Sequence, residues 1–321
     1  MGGVEVSLEY WGRADGWVEA DVGSDDILLV QYNPFSYGRW GVAPWLVQRA
    51  RLLRRGSRSR RLVVVVHEAY VPPRSVRWAL MGRWQRWQLA ALGRYADATV
   101  ISTESWRAPV AKLIPNRPVF HIPVGSNLPD ERKGRSGLRE SRGWTDETLV
   151  VATLGSDEAS RLPDHLSKAL NELAVRRSGV VLANLGVAPL ELPDLSPRIV
   201  ERRTGYASPA ALAAELAAAD MYLAPYEDGV SARRTTFVAA LQHGLAVIGT
   251  EGRNTDEYLK AESGVSFSLA AKPDEFVRAS VEIGTDAVRR GDYQRGARAL
   301  FERRFKWSTI ADSYLAALSD L

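Results

Sequence analysis

Cysteine is absent from the 321-residue sequence. Its absence excludes disulfide bonds, thiolate metal sites and a cysteine nucleophile, and it fits a reducing compartment. No apolar run approaches the ~20 residues that a membrane-spanning helix needs, and the N-terminus lacks the apolar segment of a secretion signal. We therefore expect a cytoplasmic protein.

Histidine is scarce as well, with four residues in the whole chain. No pair of histidine and acidic residues has the spacing of metal ligands, so we predict no bound metal ion. No cofactor is expected either. His121, His165 and His243 are interpreted as structural or surface residues. His67 differs, because it directly follows an apolar run.

Negative charge is missing from one stretch. Between Arg49 and Arg61, seven of thirteen residues are arginine and none is acidic. Such a basic face could contact an anionic membrane or a lipid-diphosphate acceptor, and it could equally be the solvated end of a helix. Binding of nucleic acid would depend on this run alone and is not expected.

Apolar runs that resemble strands alternate with helical patterns along the chain. Leu62–Val66 lacks polar alternation, which indicates a strand buried on both faces. Ser75–Tyr95 has apolar residues at helical spacing, and Ser208-Pro209 predicts the start of a helix over 210–219. The remaining predicted strands are Ile27–Gln31, Thr99–Ser102, Val119–Pro123, Leu149–Leu154, Val180–Leu185, Arg198–Arg202, Met221–Pro225 and Ala246–Thr250.

This alternation predicts an α/β fold with parallel sheets in two domains. The polar, glycine-containing segment Asp130–Gly143 has no apolar periodicity and is interpreted as a linker. We therefore expect an N-terminal domain over 1–140 and a second domain over 141–304. Ligands of such sheets bind beyond the carboxyl ends of the strands.

Two loops of the second half follow predicted strands and have polar or aromatic residues. Gly155 and Ser156 end a strand, and Arg161 comes just before a helix, which suits a diphosphate. The alternative is an ordinary turn with a surface arginine. In the loop Thr204–Tyr206, Tyr206 could stack on a nucleobase or be a core aromatic residue.

The segment from Tyr222 to Thr250 concentrates polar groups between two apolar elements. Its loop contains Glu227, Asp228, Gly229 and Ser231, and then Arg233, Arg234, Thr235 and Thr236. Carboxylates can bind sugar hydroxyls, whereas arginines and free N–H groups at a helix start can neutralise a leaving diphosphate. We expect the two threonine hydroxyls to cap the following helix.

The first half offers one candidate of its own. His67 and Glu68 come at the carboxyl end of a predicted strand, which is a catalytic position in open sheets. A histidine there could orient or deprotonate an acceptor hydroxyl near neutral pH. The alternative is a structural histidine that only forms hydrogen bonds at the end of the strand.

From about Asp25 onward the chain resembles the family-four GT-B glycosyltransferases, retaining enzymes that use nucleotide-sugar donors. Gly155–Arg161 is similar to the family's diphosphate loop, with Arg161 at the position of a lysine and Ser156 where arginine is usual. Thr204–Tyr206 is similar to the loop that meets the nucleotide base.

Further motifs follow in the family's order. Asp220–Pro225 resembles the strand entering the donor site, Ala239–Gly244 resembles the E-A-M-A-x-G helix, and His67-Glu68 matches the acceptor-side histidine. Phe305–Ser308 resembles the start of the last helix, so residues 305–321 are expected to pack back on the N-terminal domain. The resemblance implies a GT-B fold, with two Rossmann-like domains facing across a cleft.

Two features depart from the family. Its E-x7-E pair of carboxylates falls on Ser231 and Ala239, so Glu227 or Asp228 would have to act from a shifted loop. The family also begins with a strand and a glycine-rich acceptor loop, whereas this chain opens MGGVEVSLEYWGRADGW. We therefore expect a shortened N-terminal domain, either truncated or reduced.

The resemblance implies transfer of a sugar from a nucleoside diphosphate sugar to a hydroxyl acceptor. In cell-surface glycan, polysaccharide or glycoconjugate synthesis the acceptor could be lipid-linked. The diphosphate would be held by the cations and the helix start of the second half. His67, Glu227 and Asp228 would be the catalytic residues.

Two other functions are weighed against this one. A catalytically inactive GT-B protein that binds a nucleotide or a partner would explain the missing carboxylates. A nicotinamide-dependent enzyme is disfavoured, because no G-x-G-x-x-G follows the first credible strand.

Overall fold

The computed structural model describes residues 27–56, 61–155, 160–319 and 321. The chain forms two compact units. The first comprises residues up to Ser102, Trp106–His121 and Ala317–Leu321, and the second comprises Thr103–Ser105 and Ile122–Ala316. Each unit is built around one parallel sheet.

The sheet of the first unit has four parallel strands in the order β1-β2-β3-β4. They are β1 (Ile27–Tyr32), β2 (Arg61–Val66), β3 (Ala98–Ile101) and β4 (Val119–His121). The helices between them are α1 (Pro34–Tyr37), α2 (Pro44–Gly56), α3 (Val76–Gly93) and α4 (Arg107–Leu113). Strand β2 is buried along Leu62–Val66 because β1 and β3 flank it. The four strands predicted for this half are confirmed.

One arginine of the run Arg49–Arg61 forms an ion pair inside the first unit. Arg54 donates to both oxygens of Asp97, at 3.1 and 3.0 Å, and Asp97 also accepts from the backbone N–H of Leu62 at 2.8 Å. This ion pair fixes the end of α2 beside the start of β2. Residues 57–60 of the run lie outside the described residues.

The sheet of the second unit has six parallel strands. They are β5 (Leu149–Leu154), β6 (Val180–Leu185), β7 (Ile199–Arg203), β8 (Met221–Ala224), β9 (Ala246–Glu251) and β10 (Val265–Leu269). The helices are α5 (Arg135–Ser141), α6 (Pro163–Arg176), α7 (Pro209–Ala218), α8 (Thr235–Gln242), α9 (Glu257–Lys260), α10 (Pro273–Thr285), α11 (Ala287–Leu300) and α12 (Trp307–Ser319), the last of which extends into residues of the first unit.

The order of this sheet is β10-β9-β8-β5-β6-β7. The chain therefore runs outward from β5 through β7, returns to the other side of β5 at β8, and runs outward again. The reversal leaves a topological switch point between β5 and β8. Strand β10 is not among the strands predicted from the sequence, because its short VSFSL run lies at an edge and is only partly buried.

The segment predicted as a linker contains helix α5. Three of its polar residues bind into the second unit, since Arg135 and Arg139 donate to Asp220 at 2.5 and 3.2 Å and Arg142 pairs with Glu215. The linker interpretation is therefore wrong for this stretch. A pattern without apolar periodicity indicated a loop, but ion pairs rather than apolar contacts hold this helix in place.

Within the described ranges, no helix is long and apolar enough to cross a membrane. The same residues contain no cluster of three or more histidine, cysteine or acidic side chains that could hold a metal ion. The absence of a cofactor stays a prediction.

Candidate functional site

The carboxyl ends of β5 and β8 meet at the switch point, where Gly155 follows one strand and Pro225 follows the other. Ligands of open parallel sheets bind in the crevice at this position. The loops that the sequence singled out after these two strands are therefore neighbours in space. Their proximity follows from the strand order and could not be derived from their separation along the chain.

Two glycines shape the backbone at the ends of β5 and β6. Gly155 has φ +137° and Gly186 has φ +128°, values that residues with a side chain rarely adopt. A Cβ atom on Gly186 would collide with the carbonyl oxygen of Gly155. The N–H of Gly155 in turn donates to Leu185 O at 3.0 Å. A side chain is therefore excluded where the two strand ends touch.

Arg161 is buried beside this turn, with 6% of its surface exposed. Its guanidinium donates to the carbonyl of Leu154 at 3.0 Å and to the Tyr226 hydroxyl at 3.4 Å, and it also bonds the Thr153 hydroxyl. These partners are all uncharged, and Nε has no partner among the described residues. The alternative of a surface arginine is excluded.

Tyr226 lies between two guanidinium groups. Arg161 is 5.2 Å and Arg234 3.6 Å from the centre of its ring, and the tyrosine is almost fully buried. Stacking of this kind orients cations and contributes attraction. Sequence reasoning missed Tyr226, although an aromatic residue directly after the strand-ending Pro225 is the signal that could have revealed it.

Tyr222 supports the same cluster from within β8. Its side chain is fully buried, and its hydroxyl donates to Leu154 O at 3.3 Å and neighbours Thr236. Burial raises the pKa of Tyr222 well above its ordinary value, so the phenol remains neutral. We name Arg161, Tyr222, Tyr226 and Arg234 the switch-point cluster.

Asp228 holds the side chains of Arg234 and Asn254 in place. It pairs with Arg234 at 2.8 Å and accepts from the Asn254 amide at 2.7 Å. Gly229 beside it has φ +82°, and a Cβ there would collide with the backbone of Gly252. The loop is therefore fixed, and Asp228 neutralises one of the two stacked arginines.

Glu227 differs from its neighbour, because its side chain is exposed. Its backbone N–H donates to Ser160 O at 2.7 Å, which attaches this loop to the chain just before Arg161. Ser231 is 1% exposed, and its hydroxyl has no hydrogen-bond partner among the described residues. Of the predicted carboxylates, only Glu227 can reach a ligand without breaking an ion pair in the described part of the chain.

Helix α8 starts at this loop with no side-chain cap. Arg234 is the N-cap residue, and Thr235 and Thr236 are the first two helical residues, so the expectation that their hydroxyls cap the helix is wrong. A residue inside the helix cannot bond back to its own N–H groups as an N-cap does. Among the described residues, the first N–H groups of α8 therefore have no side-chain acceptor. Arg233, the other arginine of the pair, is half-buried.

Tyr206 is 90% exposed on the loop after β7. The alternative of a core aromatic residue is thereby excluded. The loop is anchored by Thr204, whose hydroxyl accepts from the N–H of Gly186 at 3.0 Å, and Gly205 allows its turn with φ +59°. Ser156, the remaining predicted residue of this half, lies outside the described residues.

His67 belongs to the first unit, at the carboxyl end of β2. Its Nε2 lies 2.7 Å from Gln31 Oε1. With the Gln31 amide in this orientation its oxygen accepts, which assigns the proton to Nε2 and makes Nδ1 the basic nitrogen. Burial lowers the pKa of His67, and the charge of Glu68 offsets part of this change.

This pKa predicts a pH dependence of stability. The folded chain binds a proton at His67 less readily than the unfolded chain, so the contribution of His67 is fully present above the ordinary histidine pKa of ~6.5 and decreases as the pH falls below it. We expect His67→Gln to reduce the loss of unfolding free energy between about pH 7.5 and pH 5, measured by urea denaturation. His243, whose pKa burial also lowers, remains in both proteins. An identical loss in the two proteins would contradict this prediction.

We compared the chain with known proteins and with solved structures. No family model and no curated protein matches the chain. Among solved structures, it is similar to HepE of Anabaena in complex with UDP and glucose, with a TM-score of 0.61, 15% identity, and coverage of 91% of this chain and 78% of the other. The chain has a GT-B glycosyltransferase fold.

Two further structures with this fold extend the comparison. Sucrose-phosphate synthase of Thermosynechococcus elongatus gives a TM-score of 0.65 at 13% identity, covering 92% of this chain and 73% of that one. A glycosyltransferase of Rickettsia africae gives 0.64 at 11% identity, covering 92% and 76%. At such low identity the likeness concerns the fold alone. The predicted α/β fold with parallel sheets is confirmed, whereas membership of family four stays a prediction.

Proposed function

We propose that this protein transfers a sugar from a nucleoside diphosphate sugar to a hydroxyl acceptor, as the GT-B fold suggests. The observation that supports this function best is Arg161, a buried guanidinium that forms no ion pair with any described residue. A buried charge without a counter-ion is costly. A diphosphate at the switch point would supply a negative charge that none of the described residues supplies.

The proposed chemistry needs cations where charge develops. As the bond from the sugar C1 to the diphosphate oxygen breaks, the electron pair stays on the diphosphate, and Arg161 and Arg234 lie at the switch point to stabilise it. A well-placed donor contributes roughly 3 kcal/mol or more to such a step. The free N–H groups at the start of α8 would add their partial positive charge.

We assign the roles of the remaining site residues from their exposure, ion pairs and hydrogen bonds. Glu227 is exposed and is proposed to bind sugar hydroxyls, whereas Asp228 is proposed to orient Arg234. The acceptor oxygen bonds to C1 and loses its proton, and Nδ1 of His67 is our candidate to receive it. Retention at C1, which the resemblance to family four implies, is checked by NMR of the glycoside product.

The nucleotide is the first property to test. HepE was solved with UDP and with UDP-glucose, so we propose uridine as the base and expose the whole chain to UDP, GDP, ADP and their glucose conjugates. A ligand at ~100 times its Kd adds ~2.7 kcal/mol to the free energy of unfolding. We expect UDP to raise the thermal midpoint more than the other nucleotides do. If no nucleoside diphosphate raises it, the proposed site is wrong.

A second candidate is a GT-B protein that binds nucleotide without catalysis. It is favoured by Ser231 and Ala239, since both positions are buried and neither has a carboxylate. Release of UDP from UDP-sugars in the presence of hydroxyl acceptors separates the two functions. Tight UDP binding with no release above the uncatalysed rate would support this candidate.

The acceptor and its location are further proposals. The basic run from Arg49 to Arg61 suggests a lipid-linked acceptor at an anionic membrane, and Arg51 and Arg55 of this run are exposed. Reversing these two charges should lower transfer to an acceptor embedded in liposomes. Transfer to a water-soluble acceptor should be unchanged.

A further inference from the structure

One face of helix α3 is apolar and lies in solvent. Val76, Leu80 and Trp87 are 80%, 65% and 53% exposed, and with Arg83 they recur at spacings of four, three and four residues along one stripe. On the surface of a globular protein this stripe should be polar. The opposite, buried face of α3 contains Gln85 and Gln88 beside the apolar Leu89 and Leu92.

The two buried glutamines hold a neighbouring turn. Gln85 donates to Trp40 O at 3.2 Å and accepts from the N–H of Val71 at 2.9 Å. Gln88 donates to Gly41 O at 3.2 Å and accepts from the N–H of Ala43 at 2.7 Å. The turn at Trp40 is therefore attached to α3.

This attachment keeps a strained aromatic residue in solvent. Trp40 has φ +62°, which is a rare conformation for a bulky residue, and it is half exposed. The guanidinium of Arg77 lies 4.6 Å from the centre of its ring. Backbone strain of this kind is retained where the surrounding structure enforces it, often for function. We name Val76, Leu80, Arg83 and Trp87 the α3 surface.

The charge around the α3 surface has one sign. No acidic residue occurs in the sequence between Glu68 and Asp97, a stretch that contains five arginines: Arg74, Arg77, Arg83, Arg86 and Arg94. Within the described residues none of the five forms a salt bridge; three lie over aromatic rings, Arg74 at Trp78, Arg77 at Trp40 and Arg86 at Tyr70. Their charge is therefore available to an anionic partner.

We propose that the α3 surface docks onto a bilayer of anionic lipids. Tryptophans favour the boundary between headgroups and acyl chains, aliphatic side chains enter the acyl region, and arginines bind lipid phosphates. A nucleic acid fits less well, because Val76 and Leu80 offer no plane on which a base can stack. The surface is distinct from the run Arg49–Arg61, whose Arg54 is already paired with Asp97.

The test is flotation of the full chain with phosphatidylcholine vesicles, with and without about 30% phosphatidylglycerol. We expect binding to the anionic vesicles, and a loss of about tenfold or more for the double variant Leu80→Glu/Trp87→Glu. Val76→Glu, at the most exposed position of the stripe, is a second variant that should fold normally, and its binding should also fall. Arg77→Glu/Arg83→Glu should weaken binding to the anionic vesicles only.

Matched controls come from the second unit. Val288→Glu replaces an apolar residue that is 77% exposed, and Arg278→Glu reverses an exposed charge. Both should bind vesicles like the wild type, and circular dichroism should confirm that every variant is folded. The proposal is overturned if the wild type does not float with anionic vesicles, or if the folded α3 variants bind them as the controls do. Binding of a DNA oligomer that these variants abolish, with vesicle binding unchanged, would also overturn it.

Discussion

Replacing Arg161 by methionine should lower the rate of sugar transfer by about a hundredfold or more while the protein stays folded. The methionine retains an apolar side chain in the buried space and removes the charge. The lost interaction is strongest when the diphosphate departs, so kcat should fall by more than the affinity for the donor. Initial rates with the nucleotide sugar selected by the thermal-shift screen measure this effect, and calorimetry with UDP measures binding.

Two further arginine variants supply the comparison. Arg161→Lys keeps the charge but loses the planar donors, and it should recover part of the rate, since the diphosphate loop that Gly155–Arg161 resembles has lysine at this position. Arg278→Met, which removes an exposed arginine of the same unit, should leave the rate unchanged. Full turnover by a folded Arg161→Met protein would contradict the role we assign to this residue.

Replacing Asp220 by alanine should lower the free energy of unfolding by about 3 to 5 kcal/mol, the range for breaking a buried ion pair. The carboxylate is 11% exposed and accepts from Arg135 at 2.5 Å, from Arg139 at 3.2 Å and from the N–H of Val150 at 2.8 Å. Its removal leaves the largely buried Arg139 without a counter-ion and an N–H of the central strand β5 without its acceptor.

Urea denaturation of the whole chain measures this loss. Asp220→Asn keeps the size and one acceptor for the N–H of Val150, so it should cost less than the alanine variant. Glu191→Ala removes the carboxylate of an exposed ion pair with Arg203 and should leave the unfolding free energy nearly unchanged. Equal effects of Asp220→Ala and Glu191→Ala would show that α5 does not depend on this ion pair.

Helix α5 illustrates why sequence reasoning failed at one place and succeeded at others. The strands β2 and β5 are predicted well because nearly all of their residues are apolar, and apart from Arg61 both are buried on both faces of a parallel sheet. Helix α7 is predicted well because Ser208 caps it, accepting from the N–H of Ala211 at 3.2 Å. In α5 the stabilising partners are carboxylates more than 70 residues away along the chain. The residues next to α5 in the sequence therefore give no sign of these partners.

The candidate site divides in the same way. Gly155, Arg161, Asp228 and Arg234 are recognisable from the sequence, because glycine turns and cations after apolar strands suit phosphate. The sequence does not say that Arg234 stacks on Tyr226, or that Asp228 is occupied by Arg234 and Asn254. These contacts depend on side-chain directions that only the packed loop defines.

The sequence by itself determined that this protein is α/β, that its sheets are parallel, and which strand-end loops carry charge. These properties are local, since they follow from runs of apolar residues and from the residues that end them. Only the tertiary structure decided that β8 lies beside β5, because that pairing joins strands distant in the chain. The same pairing brings Arg161, Tyr226 and Arg234 together at the switch point, and it turned a set of polar loops into one candidate diphosphate site.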